Sequence, residues 1–355
     1  MLYNKPVVDG HYHIYNWYDG KGRDFFTTTD NYLAGRNFRA ININALPSVS
    51  RDVSNNIITA LYKLHRPEIY IHGGLVYDSY PVPAVMPEGM DPLTQYRELM
   101  EIGFDGIKML ETKPTEIKAI CRPVCDLLYE GFFDAVEKDG THMVWHVNDP
   151  AEFWDKDKAP AFAFENGWFY GNGEYPTHEE IYQQALAVLE KHPQLKVTFA
   201  HFFFMSGCPE RLEEVFRKYP NTAVDLTPGS EMYGDFLSRA AYYRDFFIRN
   251  TDRIQFGTDA SDEADEVDDN LWLSDIVYHF LTTDRDFQLW EVTSRGIDLP
   301  DETADKILSG NFLRRVGEKP KEINREALKQ YILKYRHLIR DEHVRANVDA
   351  ALMQL

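Results

Sequence analysis

The chain has 355 residues, and 38 lysines and arginines against 57 aspartates and glutamates give it a net charge of −19, with 44% hydrophobic residues. Such an acidic balance repels phosphate backbones and anionic lipid surfaces, and no basic stripe offsets it, so neither nucleic acid nor membrane is an expected partner. The hydrophobic share is that of a packed globular protein, which excludes a disordered chain and a small disulfide scaffold.

From the N-terminus, Met1 to Val8 carries a lysine and a proline but no apolar core of a signal peptide, and no apolar run of about 18 residues follows. A cytoplasmic location is the expectation. Short β-branched or aromatic runs then recur at Pro6–His13, Arg39–Asn44, Ile69–Leu75, Gly106–Leu110, His142–Val147, Lys196–Phe202, Thr222–Leu226 and Ile254–Asp259, with helical patterns between them. Repeated strand–helix units build a parallel sheet, and eight such strands close a barrel, so the expected class is α/β, a (β/α)8 TIM barrel. Cys121 and Cys125 would share a helix face and read as small buried side chains. With Cys208 they make three, an odd and sparse set that fits a reducing compartment.

The fifth strand is followed by a long insertion, Asn148 to Pro176, which carries Phe153, Trp154, Phe162, Phe164, Trp168, Phe169, Tyr170 and Tyr175 without helical or strand period. Its aromatic load argues against disorder, and it leaves the strand end where barrels build active sites. A water-excluding lid is expected, with Trp154 and Trp168 as substrate contacts. Pro176-Thr177 with Glu180 then starts a helix over Ile181–His192. Thr227–Ser230, after the seventh strand, reads either as a backbone nest for an anion or as an ordinary turn. The run Asp259 to Asp269 has seven acidic residues in eleven but lacks a calcium loop's sixth-position glycine, and reads as a solvated loop. Helices are expected at Asp301–Val316 and Lys321–Ala351. The barrel therefore spans 1–318, and residues 319–355 form a helical extension packed on it or on the partner in a homodimer.

The chemistry concentrates at strand ends. In Val7-Val8-Asp9-Gly10-His11-Tyr12-His13 the two histidines are two apart, so on a strand they present both imidazoles to one face, which suits a divalent metal. His146 ends the fifth strand, His201 the sixth and Asp259 the eighth, each after apolar residues. In a closed barrel these ends ring one mouth, and burying the same groups unpaired would cost several kcal/mol.

This pattern resembles the amidohydrolase superfamily of metal-dependent (β/α)8 barrels, and within it the amidohydrolase-related family with its decarboxylases similar to aminocarboxymuconate semialdehyde decarboxylase. The similarity runs from Asp9-Gly10-His11-Tyr12-His13 to Ile307-Leu308-Ser309-Gly310-Asn311-Phe312-Leu313-Arg314-Arg315, which is like the family's closing helix. The resemblance implies one divalent ion on His11, His13, His146 and Asp259, zinc first with Mn2+ or Fe2+ as alternatives, and His201 as the catalytic histidine beside it. Two-metal members carry a carboxylated lysine at the position of Lys108, which makes a second ion the lesser alternative; otherwise Lys108 is a charged group that meets a substrate anion. The implied activity is hydrolysis of a small anionic ester, lactone or amide by a metal-activated water whose pKa falls from about 15.7 toward 7, with Asp259 taking its proton. The alternative is non-oxidative decarboxylation of an unsaturated or aromatic acid. That reaction needs a cation for the carboxylate, and Arg23, with Lys21 and Arg36, is the candidate on the mouth loops.

Overall fold

Both faces of a parallel sheet are covered, so its strands are buried on both sides. Strand β1 (Val7–His13) is buried along its whole length. The computed structural model describes residues 3–15, 25–49, 51–78, 83–262 and 267–355. Beside β1 lie β2 (Phe38–Asn44), β3 (Tyr70–Gly73), β4 (Gly106–Thr112), β5 (His142–Val147), β6 (Lys196–Phe199), β7 (Thr222–Asp225) and β8 (Ile254–Gln255), each parallel to its predecessor. The chain after β8 then crosses to the other edge. Gly10 N–H donates to Phe256 O at 3.0 Å, Asp259 N–H to His11 O at 2.8 Å, and β9 (Ala260–Ser261) pairs with β1. Residues 254–261 thus touch β7 at their start and β1 at their end, and the sheet closes into a TIM barrel.

The helices alternate with the strands as α1 (Phe25–Gly35), α2 (Ser54–His65), α3 (Pro92–Ile102), α4 (Pro114–Ile120), α5 (Glu130–Asp139), α6 (Ala161–Glu165), α7 (His178–Lys191), α8 (Pro209–Lys218), α9 (Ser230–Ser238), α10 (Ala240–Arg249) and α11 (Val267–Thr282). Helix α7 begins on the expected reciprocal cap: Thr177 accepts from Glu180 N–H while the Glu180 carboxylate accepts from Thr177 N–H at 2.8 Å. A hairpin of β10 (Asp286–Leu289) and β11 (Val292–Arg295) follows α11 and packs on α9, where the Ser294 hydroxyl donates to Tyr233 O. Helices α12 (Asp301–Asp305) and α13 (Asn311–Val316) join through one π turn into the run expected over 301–316. Among the described residues no helix is long and apolar enough to cross a membrane.

Several expectations change. The sixth strand stops at Phe199 rather than Phe202, because His201 to Phe204 all take left-handed φ values of 48 to 61°. The eighth is broken before Ala260, with Asp259 at φ 60°. The single tail helix divides into α14 (Arg325–Tyr335) and α15 (Glu342–Leu352). Asp341 caps the second by accepting from His343 and Val344 N–H, and Ile339 in the bend is fully buried, so the chain turns and lays α14 and α15 against α2 and α3. The insertion has local structure of its own, a 3-10 turn at Ala151–Trp154 and α6. All three cysteines are exposed, against the expectation for Cys121 and Cys125. Helix α4 ends at Ile120 and Cys121 turns left-handed, so the two thiols share no helix face. Residues 263–266 of the acidic run lie outside the described residues.

The C-terminal segment crosses the barrel base at Gly103, which caps α3 at φ 109°. A Cβ there would run into the Glu322 carbonyl. Asn324 N–H donates to Ile102 O at 2.8 Å, and Asp105 accepts from both Lys63 and Lys321 N–H. Gly103→Ala is expected to cost roughly 1–3 kcal/mol through the left-handed φ and the displaced tail, read as a lower urea midpoint with an unchanged slope.

Candidate metal centre

Four side chains that point inward at the top of the barrel meet within a few ångströms. His11 Nε2 and His13 Nε2 are 3.1 Å apart, and Asp259 Oδ1 lies 2.9 Å from the second and 3.6 Å from the first. The Lys108 amine, 2% exposed on β4, donates to His11 Nε2 at 2.9 Å. Asp259 reaches this point because its left-handed residue ends the broken strand and leaves its side chain 40% exposed at the mouth.

The partners behind the rings decide which nitrogen faces the mouth. His13 Nδ1 sits 2.7 Å from Asn44 O, which can only accept, so Nδ1 carries the hydrogen and Nε2 the lone pair. His11 Nδ1 sits 2.8 Å from Asp225 Oδ2, which takes its hydrogen, and the Lys108 amine meets Nε2 from the other side, so Nε2 is the lone-pair end. Burial pushes the His13 imidazole down to about 4. Desolvation alone would raise Asp259, but the close approach of the His13 ring and the charges around it outweigh that and hold its carboxyl well below the usual range. With both ring hydrogens on the far nitrogens, two lone pairs and a carboxylate aim at one point. Three acceptors in such a space need a cation, and imidazole with carboxylate is a donor set for a first-row divalent ion. Among the described residues, His11, His13 and Asp259 are the group whose donor atoms lie within 4.8 Å of one another and could hold a metal.

His146 and His201 flank this group without joining it. Their rings are 4.9 Å apart, and the His201 ring is 5.7 Å from that of His11. Burial drives His201 down to about 3 and His146 down to about 4, so both are neutral at pH 7. His201 N–H donates to Asp225 Oδ1 at 2.8 Å, so this one carboxylate holds both His11 and the turn that carries His201. Although burial pushes Asp225 up, the adjacent His11 ring and its hydrogen bond bring it down to about 2. Asp225 was missed in the sequence, yet it ends a strand after apolar residues in the same way as Asp259.

The other expected contacts fall in several places. Burial lowers the Lys108 ammonium to about 8, and it faces the imidazoles as a cation. Trp154 donates to Pro176 O at 3.0 Å and packs against Tyr170 and His178, while Trp168 lies under Lys113 with the amine 5.3 Å from the ring. Both belong to the small core of Phe153, Ala163 and Tyr170 inside the insertion. Arg36 is not at the mouth: it precedes β2 at the opposite end of the barrel, where its guanidinium pairs with Asp275 at 2.6 and 2.7 Å. Arg23 and Lys21 lie outside the described residues. Thr227–Ser230 leads directly into α9, and the Thr227 hydroxyl is 3.0 Å from His11 Nδ1.

Below the mouth the barrel is polar. Asn42 donates to Gly10 O and accepts from His72 Nδ1 at 2.6 Å; His72 Nε2 accepts from His142 Nδ1 at 2.8 Å, and His142 Nε2 accepts from the Thr198 hydroxyl at 2.8 Å. Every member is satisfied with both rings neutral, and burial holds both imidazoles well below their ordinary range. Gly106 permits this chain, since a Cβ there would run into the His72 ring.

The sequence model of the amidohydrolase family matches residues 79–314, well over half the chain, and the protein belongs to that family of metal-dependent enzymes. No curated protein matches it in sequence. Among solved structures, 2,6-dihydroxybenzoate decarboxylase from Rhizobium is 14% identical with a TM-score of 0.51, over 89% of this chain and 99% of that one. The 5-carboxyvanillate decarboxylase from Sphingomonas paucimobilis is 13% identical with a TM-score of 0.50, over 88% and 99%. A dihydroxybenzoic acid decarboxylase from Polaromonas sp. JS666, solved with bound manganese and the inhibitor 2-nitroresorcinol, is 14% identical with a TM-score of 0.52, over 88% and 96%. At these identities the likeness shows a shared fold.

Two outcomes follow from the geometry. Asp225→Asn removes the acceptor that fixes the His11 tautomer, and metal affinity is expected to fall about 10- to 100-fold in chelator competition. On α9, Glu231 has both carboxylate oxygens buried without a partner, and burial, with Glu152, Asp235 and Asp149 adding repulsion, pushes it up to about 8. A raised carboxyl contributes full stability below its ordinary value of 4.5 and loses it as pH rises toward 8. Glu231→Gln, which cannot ionise, is expected to match the wild-type melting temperature near pH 4 and to exceed it increasingly from pH 5 to 8.

Proposed function

We propose that the protein is a metal-dependent, non-oxidative decarboxylase of an unsaturated or aromatic acid. The observation that carries this reading is Lys108, a buried ammonium 2.9 Å from His11 Nε2. A divalent ion and Lys108 against Asp259 and Asp225 leave the mouth with one positive charge in excess, inside a protein of net charge −19. An acid substrate meets that field. The activities named for the similar folds support the same direction.

His11, His13 and Asp259 would hold the ion, Zn2+ or Mn2+, with His146 turned toward them as a fourth ligand. Once bound, the ion supplies a Lewis acid for a substrate oxygen. Lys108 binds the carboxylate that departs. As the C–C bond breaks, CO2 leaves and the electron pair stays on carbon, which must take one proton. His201 and Asp259 would flank that position, His201 as a neutral ring that orients the substrate and Asp259, itself ionised, as the carboxylate that takes a proton from solvent and hands it to the carbon. The aromatic insertion excludes water from the carbanion-like transition state.

Hydrolysis of an anionic ester, lactone or amide is the second reading. Asp259, a carboxylate open to the mouth, favours it, because the same group can accept a proton from attacking water. The two are separated by incubating metal-loaded protein in D2O with hydroxybenzoic acids, unsaturated dicarboxylic acids and lactones. The expected result is CO2 release with one deuterium on the carbon that carried the carboxylate, lost in Lys108→Met through a raised KM. Ring-opened lactone without CO2 would reverse the ranking.

A further inference from the structure

Asp149 lies two residues beyond β5, and its side chain is 6% exposed although it is an acid between two loops. Its two oxygens serve different regions of the molecule. Oδ1 lies 3.2 Å from His146 Nε2 and accepts from Lys113 at 3.4 Å, while Oδ2 accepts from the Tyr170 hydroxyl at 2.6 Å. Its backbone carbonyl is 3.2 Å from His178 Nε2, and neighbouring Asn148 donates to His178 O at 2.8 Å. Tyr170 stands in the small core of the insertion with Phe153 and Ala163, against the Trp154 ring at 4.8 Å. One carboxylate is therefore held by the insertion on one side and holds His146 on the other.

The consequence for His146 is chemical. A carboxylate accepts only, so Asp149 makes Nε2 the N–H end of the neutral ring and Nδ1 the lone-pair end. A metal-binding imidazole needs such an acceptor behind it to fix tautomer and ring plane. Asp149 in turn has its own plane fixed by Tyr170 and Lys113. If Tyr170 leaves with the insertion, one of the two donors that hold the carboxylate is lost, and His146 loses its rigid support.

We propose that Asp149 is a positioning residue that couples the seating of the aromatic insertion to the orientation of His146, so that metal binding and closure of the insertion stabilise each other. This rests on the metal reading of the site but not on decarboxylation, since the coupling involves no substrate. Coupling between two binding events is reciprocal: the factor by which the seated insertion tightens metal binding is the factor by which metal favours the seat.

The test uses the full chain and Mn2+. Affinity is measured by competition with a fluorescent chelator, and order in residues 153–175 by hydrogen exchange with and without the ion. In the wild type, Mn2+ is expected to slow exchange across 153–175. Tyr170→Phe keeps the ring but drops the hydroxyl, and is expected to weaken Mn2+ about tenfold and to abolish that slowing. Asp149→Asn is expected to do the same or more. Tyr175→Phe removes a hydroxyl from the same aromatic cluster with no bond to Asp149, and is expected to leave affinity unchanged. Wild-type exchange indifferent to Mn2+, a Tyr170→Phe affinity equal to wild type, or equal weakening by Tyr175→Phe would each overturn the proposal. Decarboxylation with none of these effects would leave the proposed reaction standing alone, whereas a wild type that binds no Mn2+ would remove both the metal site and this coupling.

Discussion

Two imidazole lone pairs 3.1 Å apart, with a carboxylate oxygen beside them, would repel if nothing positive lay between them. Much of the upper barrel serves to keep them there. Asn44 O and Asp225 take the hydrogens from the far side of each ring, burial keeps His13 neutral, and closure of residues 254–261 onto β1 brings Asp259 over. Such an arrangement has little reason to persist in a core built for stability alone, because each acceptor could be replaced by an apolar side chain at lower cost. The Lys108 ammonium against the same nitrogen indicates the sign of the charge the site attracts.

That convergence comes with backbone strain, and the packing shows where the compensation arises. Four successive non-glycine residues, His201 to Phe204, take left-handed φ values, each costing on the order of 1–3 kcal/mol. Phe203 stacks on Phe199 with ring centres 3.8 Å apart, Phe202 sits among Phe236, Phe246 and Phe247, and the Tyr182 hydroxyl donates to the carbonyls of Phe203 and Phe204. The aromatic run after His201 is thus core, and its burial holds the turn that aims the histidine. The polar chain from Asn42 through His72 and His142 to Thr198 has a comparable role in the layer beneath, filling the barrel with groups whose donors and acceptors all match.

Strand periodicity made much of this legible. Alternation by two residues places His11 and His13 on one face, and the same parity on β5 places His142 inward with His146, although only the second was singled out. Asp225 carried the same signal as Asp259 and went unread because nothing nearby advertised a partner. The helix start at Thr177 was legible because both members of its reciprocal cap are local. The apolar stripe of the tail continues across the bend and predicts one helix, while the break depends on Ile339 being buried and on Asp341 capping a new start. Cys121 and Cys125 looked buried because their neighbours are apolar, but α4 ends one residue before the first of them.

By itself the sequence determined the chemistry on offer and the lattice that presents it: eight apolar segments in alternation with helices, polar groups at their C-terminal ends, and a long aromatic insertion after the fifth. These are local properties, set by side-chain period and composition over a few residues. Only the tertiary structure decided which of the candidates meet. It grouped His11, His13 and Asp259, left His146 facing Asp149, sent Arg36 to the far end to pair with Asp275, and brought Lys108 against His11. The His146 contact with Asp149 is local, three residues apart, but the others depend on barrel closure, on two left-handed breaks in the strands and on His11 and His13 tautomers set by residues more than 30 positions away. No window of sequence contains both partners of such contacts.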